Sequence, residues 1–254
     1  MCKAPSPRVP APAEGASFRA GPRHASNRRG RRLQVVMLVV TAIVMSPSAY
    51  AGDDLQRRIA TAAPHAVLSV APGVHHVHLL LDRPVTLNGQ PGAILDGDGQ
   101  GDVVRIRSSG VTLRGLIIRN SGRDLTAMNA GVYVEQGVDG AVIENNRIQD
   151  ILFGVYLDGA QHVQVIGNVI TGIAELRVPD RGDGIHLWND AWCVIRGNDV
   201  SGVRDGIYDY VSHDNLIADN RIHDVRYGVH QMYTKNETLH GNISSNNVAG
   251  MALM

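Results

Sequence analysis

Residues 206–228 read GIYDYVSHDNLIADNRIHDVRYG, one structural unit running from one glycine to the next. A glycine opens a short alternation of apolar and polar side chains, Ile217 stands three residues before Asn220, and the phrase returns at Gly228 after 22 residues. The unit recurs along the chain. Gly131, Gly154, Gly184, Gly206, Gly228 and Gly250 are each followed by an apolar residue, at intervals of 23, 30, 22, 22 and 22. Asn146, Asn168, Asn198, Asn220 and Asn242 keep step at 22, 30, 22 and 22, with Ile143, Val165, Ile195, Ile217 and Leu239 three positions ahead of them. Two series with one interval mark stacked units. Units of about 22 residues built from short alternations fit the rungs of a single-stranded parallel β-helix, an all-β solenoid.

Composition agrees. Aromatic residues make up 4% of the 254 positions and glycine fills 28 of them, which suits a narrow interior of Val, Ile, Leu, Asn and Gly columns. The repeat fills enough of the chain to predict one domain. Ahead of it, residues 1–32 are polar, Pro-rich and basic, residues 33–45 are apolar, and Ala49-Tyr50-Ala51 gives an A-x-A site. Residues 1–51 therefore read as a secretory signal cleaved near Ala51, and the protein as exported. The apolar run spans 13 residues and is interrupted by Gln34 and Thr41, short for a membrane span, so none is expected after cleavage; a retained anchor is the alternative.

Without the leader, 16 Lys and Arg face 23 Asp and Glu. An acidic surface disfavours nucleic acid, whose affinity comes mainly from cations neutralising phosphates. Cys2 lies in the leader, leaving Cys193 with no partner for an internal disulfide. Other rungs carry Ala141 and Val163 at its position, so it reads as a small packed side chain rather than a reactive thiol.

Asp53 and Asp54 followed by Leu55, Ile59 and Ala62 predict a short helix after an acidic cap, with residues 52–66 plugging the coil. Residues 67–254 form the β-helix. In most rungs six residues separate the strand after the Asn corner from the next glycine, but the gap is 13 from Ile118 to Gly131 and 14 from Ile170 to Gly184. The inserts NSGRDLTAMNA (120–130) and TGIAELRVPDRGD (171–183) are thus expected to protrude from one corner, two rungs apart. Long loops on a rigid stack are where binding concentrates.

If Val132, Val155, Ile185, Ile207 and Val229 face inward, the next residues form an outward column: Tyr133, Tyr156, His186, Tyr208, His230 and Ala252. A neighbouring column holds Glu135, Asp158, Trp188, Tyr210, Met232 and Met254. The rings are expected to lie on an exposed sheet face beneath the two loops, either as a docking surface (Tyr133, Tyr156, His186, Trp188, Tyr208, Tyr210 and His230) or as a stacking ladder that only stabilises the coil. Within them, His230, Met232 and Met254 offer an imidazole and two thioethers, a soft set suited to Cu(I), with Met128 able to approach from the first loop. Asp183 and Asp205 should stack one rung apart beside Arg204 and Arg226. They could act as paired carboxylates of a glycoside-cleaving site or form a corner salt-bridge ladder. The run DGDGQGD (96–102) is similar to a calcium loop but lacks its spaced bidentate acid and reads as a glycine turn.

Several phrases are more specific than a generic solenoid: SGRDLTAMN (121–129), GVYLDGAQHVQVIGN (154–168), DRGDGIHLWN (180–189), VRDGIYDY (203–210), DVRYGVHQMYTKNETLHGN (224–242) and AGMALM (249–254). From Pro72 to Met254 the chain resembles the NosD-type periplasmic proteins that mature nitrous-oxide reductase, with RDGIY and RYGVH-x-MY the most distinctive words. The resemblance implies a right-handed β-helix attached to a membrane ABC-type transporter and contributing to assembly of the reductase's copper–sulfur centre. It implies no hydrolytic activity, and a cargo of copper, handed on by a membrane-anchored chaperone, or of sulfur. Family members run on past the point matching Met254 with further rungs, so the sequence is expected to be a C-terminally truncated fragment. Three readings follow: a non-enzymatic maturation factor with transporter, copper chaperone and reductase as partners and copper as transient cargo; a polysaccharide lyase, epimerase or hydrolase using Asp183 and Asp205; or a passive spacer.

Overall fold

The computed structural model describes residues 48–254; the residues expected to form the basic and apolar parts of a leader lie outside them. One helix, Ser48–Thr61, precedes three parallel sheets of eight strands each. Every rung contributes one strand to each sheet. The rung around Asn198, for example, places Val194–Arg196 in the first sheet, Asp199–Ser201 in the second and Asp205–Tyr210 in the third. Each strand pairs in parallel only with its counterparts one rung away. This is the solenoid the repeat predicts.

The helix passes through Asp53 and Asp54 rather than starting after them, because Ala49 and Ala51 are good helix formers that extend it upstream. Leu55 and Ile59 are fully buried against the first rungs. Gln56 closes the open edge of the third sheet: its Oε1 accepts from the Leu80 N–H at 2.9 Å, and its Nε2 donates to the Leu80 carbonyl at 3.1 Å. Arg58 donates to the Ser69 carbonyl of the first sheet. A plug that both fills the bore and satisfies edge groups removes the pairing hazard of a bare strand.

The glycine period has a steric cause. Gly154, Gly184, Gly206 and Gly228 do not adopt positive φ; what excludes a side chain there is closeness. A Cβ on Gly154 would lie 2.3 Å from the Gly184 carbonyl oxygen, and one on Gly206 would lie 2.7 Å from that of Gly228 and 2.2 Å from a methyl of Ile222. At this seam, where the second sheet turns into the third, successive rungs and the apolar column approach too closely for anything larger than hydrogen.

The asparagines form a ladder inside the opposite corner. The Asn168 N–H donates to Asn198 Oδ1 at 2.9 Å, while Asn198 Nδ2 donates to the Val165 carbonyl at 2.8 Å and to Asn220 Oδ1 at 3.0 Å. The pattern repeats from Asn146 to Asn242. Each amide supplies the acceptor that the corner N–H of the previous rung would otherwise lack, which a buried corner requires.

Inside run columns such as Val132–Val155–Ile185–Ile207–Val229, all 2% exposed or less. Cys193 is buried and free, and burial pushes its thiol up, away from the reactive thiolate. The parallel column Val134–Leu157–Leu187 changes character at Asp209 and Gln231. Gln231 donates to Asp209 Oδ2 while Oδ1 has no partner, and burial raises the Asp209 carboxyl.

Candidate functional site

The outward column of the third sheet is assembled in the expected register: Tyr133 pairs with Tyr156, Tyr156 with His186, His186 with Tyr208, Tyr208 with His230, and His230 with Ala252. Leu80 and Arg105 extend it towards the helix. The rings touch in sequence. Arg105 caps the Tyr133 ring at 4.0 Å, Tyr133 and Tyr156 stack at 5.0 Å, and Tyr156 and His186 stack at 4.4 Å; Tyr208 then stands 4.8 Å from His186 and 4.7 Å from His230. Such contacts each add about 0.5–1.5 kcal/mol beyond burial.

The column is not the exposed face that alternation suggests. Tyr156, His186 and His230 are 4–6% exposed, Tyr133, Tyr208 and Tyr210 are half-buried, and only Trp188 of the expected docking residues is open to solvent. Both inserts account for part of this. Leu125 and Met128 of the first and Leu176 of the second pack with Phe153, Leu152 and Ala130 against Tyr156. The loops fold onto the column instead of standing off it, because their apolar side chains gain more from covering the rings than from water. Phe153, the residue before Gly154, meets both Tyr156 and His186 edge-on.

Asp183 and Asp205 stack one rung apart, as expected, with the Gly184 N–H donating to the Asp205 carbonyl. Both side chains are completely buried, and their oxygens are engaged. Asp183 accepts from His186 Nδ1 at 2.8 Å and from Arg204 at 3.2 Å. Asp205 accepts from His230 Nδ1 at 2.9 Å and from Arg226 at 2.8 and 2.5 Å. Burial alone would raise the Asp205 carboxyl, but the hydrogen bonds from Arg226 and His230 outweigh it and hold it below the usual carboxylate range. Sealed carboxylates committed to Arg and His have no free oxygen to protonate a leaving group or activate water. They form a salt-bridge ladder, but a buried one, not the surface ladder anticipated.

The ladder's consequence lies on the histidines. Nδ1 of each ring faces an aspartate, and Nε2 of both His186 and His230 is buried without a hydrogen-bond partner; in the tautomer that donates Nδ1–H, that Nε2 carries a lone pair. A carboxylate fixing one ring nitrogen while the other stays free is the arrangement that orients metal-binding histidines. Of the soft set expected around His230, Met232 lies two residues on along the same strand, and its sulfur accepts from Tyr208 Oη at 3.2 Å. Met254 stands beside it by register, with its backbone bonded to Gln231 and Tyr233, but the residue is 63% exposed. His186 stands outside the soft set read from the sequence.

Elsewhere, His76, Asp96 and Asp98 bring ligand atoms within 4.8 Å of one another. Asp96 is already held by Arg119, Asn120 and the Asp98 N–H, and positive φ at Asp98, Gly99 and Gly101 makes the segment a glycine turn.

Residues 166–254, which carry His186, Tyr208, His230 and Met232, match the family described as periplasmic copper-binding protein (NosD). Over those residues the chain is similar to that family. Two relatives, each named probable ABC transporter binding protein NosD, come from Pseudomonas aeruginosa (41% identical over 138 residues) and Stutzerimonas stutzeri (39% over 134). These alignments cover 54% and 53% of this chain but 32% and 31% of the relatives, so the chain matches about a third of their length. Among solved structures it is similar to a family 28 exopolygalacturonase from Yersinia enterocolitica (TM-score 0.62, 12% identity, covering 80% of this chain and 51% of that one). A pectate lyase is similar at TM-score 0.61 and 13% identity, with 78% and 61% covered. At such identities these likenesses establish the β-helix alone. No helix among the described residues is long and apolar enough to cross a membrane.

Proposed function

We propose that the protein is a non-enzymatic periplasmic accessory factor that works with an ABC-type transporter in maturing the copper–sulfur centre of nitrous-oxide reductase, with copper as its transient cargo. The observation that carries this reading is the placement of the NosD match: it covers the rungs on which two aspartate-backed imidazoles keep an unpartnered nitrogen. The relatives' printed names supply the transporter as partner. The donor chemistry fits a soft monovalent cation. Imidazole nitrogen and thioether sulfur are on offer, while the nearby carboxylates that a hard cation would require are taken by arginines.

In this reading copper is substrate, not a resident cofactor. Asp183 and Asp205 orient the rings, the loops carrying Met128 and Leu176 shield them from water, and Trp188, Tyr210 and the half-buried Tyr133 and Tyr208 form the edge offered to the transporter, a copper chaperone and the reductase. Affinity purification from detergent-solubilised envelopes is expected to recover the transporter subunits and the reductase with this protein. Recovery of neither, from cells expressing all of them, would overturn the reading.

A further inference from the structure

His186 and His230 are two copies of one device, written differently in the sequence. In the first, aspartate and histidine share a rung, three residues apart (Asp183, His186), and the arginine, Arg204, comes from the next rung. In the second, position 208 is Tyr, and both His230 and Arg226 reach Asp205 from the following rung. The outcome is the same each time: a fully buried aspartate, an arginine clamp, Nδ1 donated, and a buried Nε2 with no partner.

An N–H at Nε2 of either ring would be buried with no acceptor. In the tautomer that donates Nδ1–H to the aspartate, the buried, unpartnered Nε2 has an electron pair to give. The two rings stand two rungs apart, about 10 Å along the stack by strand spacing, so a single small ion cannot bridge them. Between them lies Tyr208, whose ring contacts both imidazoles and whose hydroxyl holds the Met232 sulfur.

We propose that His186 and His230 are two separate one-imidazole stations for Cu(I), each binding through Nε2, with Asp183 and Asp205 as positioning residues. Met232 supplies the thioether beside the second station. The inference rests on the copper reading and names its ligands; it also reassigns to ligand orientation the carboxylates that could be taken for a hydrolytic pair. Two weak stations suit a carrier that must release its cargo, whereas one closed site of three or four ligands would retain it.

The test is anaerobic titration of the full chain with Cu(I) against a chromophoric chelator, with Ag(I) as a redox-inert second probe. Wild type is expected to take up two equivalents that His186→Gln and His230→Gln each reduce by one and the double variant abolishes. Long-range 1H–15N spectra of the metal-free protein should show both rings protonated at Nδ1, and Asp205→Asn should disturb the His230 pattern while leaving that of His186 intact. A double variant that loads as wild type does, or rings protonated at Nε2, would overturn the assignment while leaving the copper reading standing. A wild-type chain that takes up neither ion would overturn both.

Discussion

An Asn198→Ala chain is expected to lose about 3 kcal/mol of folding stability, although the substitution removes only a small side chain. Asn198 is 1% exposed and sits mid-ladder. Its Oδ1 accepts from the Asn168 N–H and from Asn168 Nδ2, and its Nδ2 donates to Val165 and Asn220. Alanine strands the Asn168 amide in a corner that water does not reach and removes a partner from the amides on either side. A buried polar group left without its partner costs about 1–3 kcal/mol, and more than one is affected here. For a chain of this size the loss corresponds to a fall of about 6–12 °C in melting temperature. Calorimetry checks it, and a shift under 2 °C would mean that the ladder is incidental to the coil. Asn198→Asp retains the acceptor for the Asn168 N–H but sets a carboxylate oxygen against the Val165 carbonyl and Asn220 Oδ1, so near neutral pH it should cost at least as much as alanine.

Asp205→Asn is expected to cost about 2–3 kcal/mol. Breaking a buried ion pair by removing one partner costs about 3–5 kcal/mol, and the Arg226 side chain is 35% exposed, so water screens part of the loss. The pH dependence identifies the cause. The Asp205 carboxyl is held below its ordinary value, chiefly because hydrogen bonds from Arg226 and His230 outweigh the opposing effect of burial. A group whose folded pKa is depressed contributes stability above its unfolded value, about 3.9, and loses it as the pH falls through the folded value. Wild type and variant should therefore differ fully near pH 7 and converge below about pH 4. Urea unfolding at both pH values measures this. A gap that persists unchanged in acid would show that the asparagine acts through packing and not through charge.

The fold was legible in the sequence because two physical constraints repeat at every rung. Glycine recurs where successive backbones approach within reach of a Cβ, and asparagine recurs where a buried corner N–H needs an acceptor. Both are local needs met by one residue type, so both print a period. The ring column was equally legible in register, since strict alternation from Ile207 to Tyr208 fixes which residues stack.

Its burial was not legible. Alternation assigns a side chain to the outside of the coil but says nothing of what folds over it, and the covering residues Leu125, Met128 and Leu176 sit in loops without a period. One of the two aspartate–histidine pairs was hidden for a related reason. Asp205 and His230 are 25 positions apart and meet only because the rungs stack; the same stacking register, applied to side chains one turn on, would have exposed them. Asp209 is masked as an inward residue by its charge among the apolar members of GIYDY, yet the same alternation places it in the bore.

The proposed role of the chain is copper delivery to nitrous-oxide reductase. Its most direct test is the copper content of reductase isolated from cells producing the His186→Gln/His230→Gln protein in place of wild type. Reductase depleted of the copper of its copper–sulfur centre, from cells in which the variant is folded and present at normal level, is the expected result. Fully copper-loaded reductase from those cells, and equally from cells lacking the protein, would contradict it.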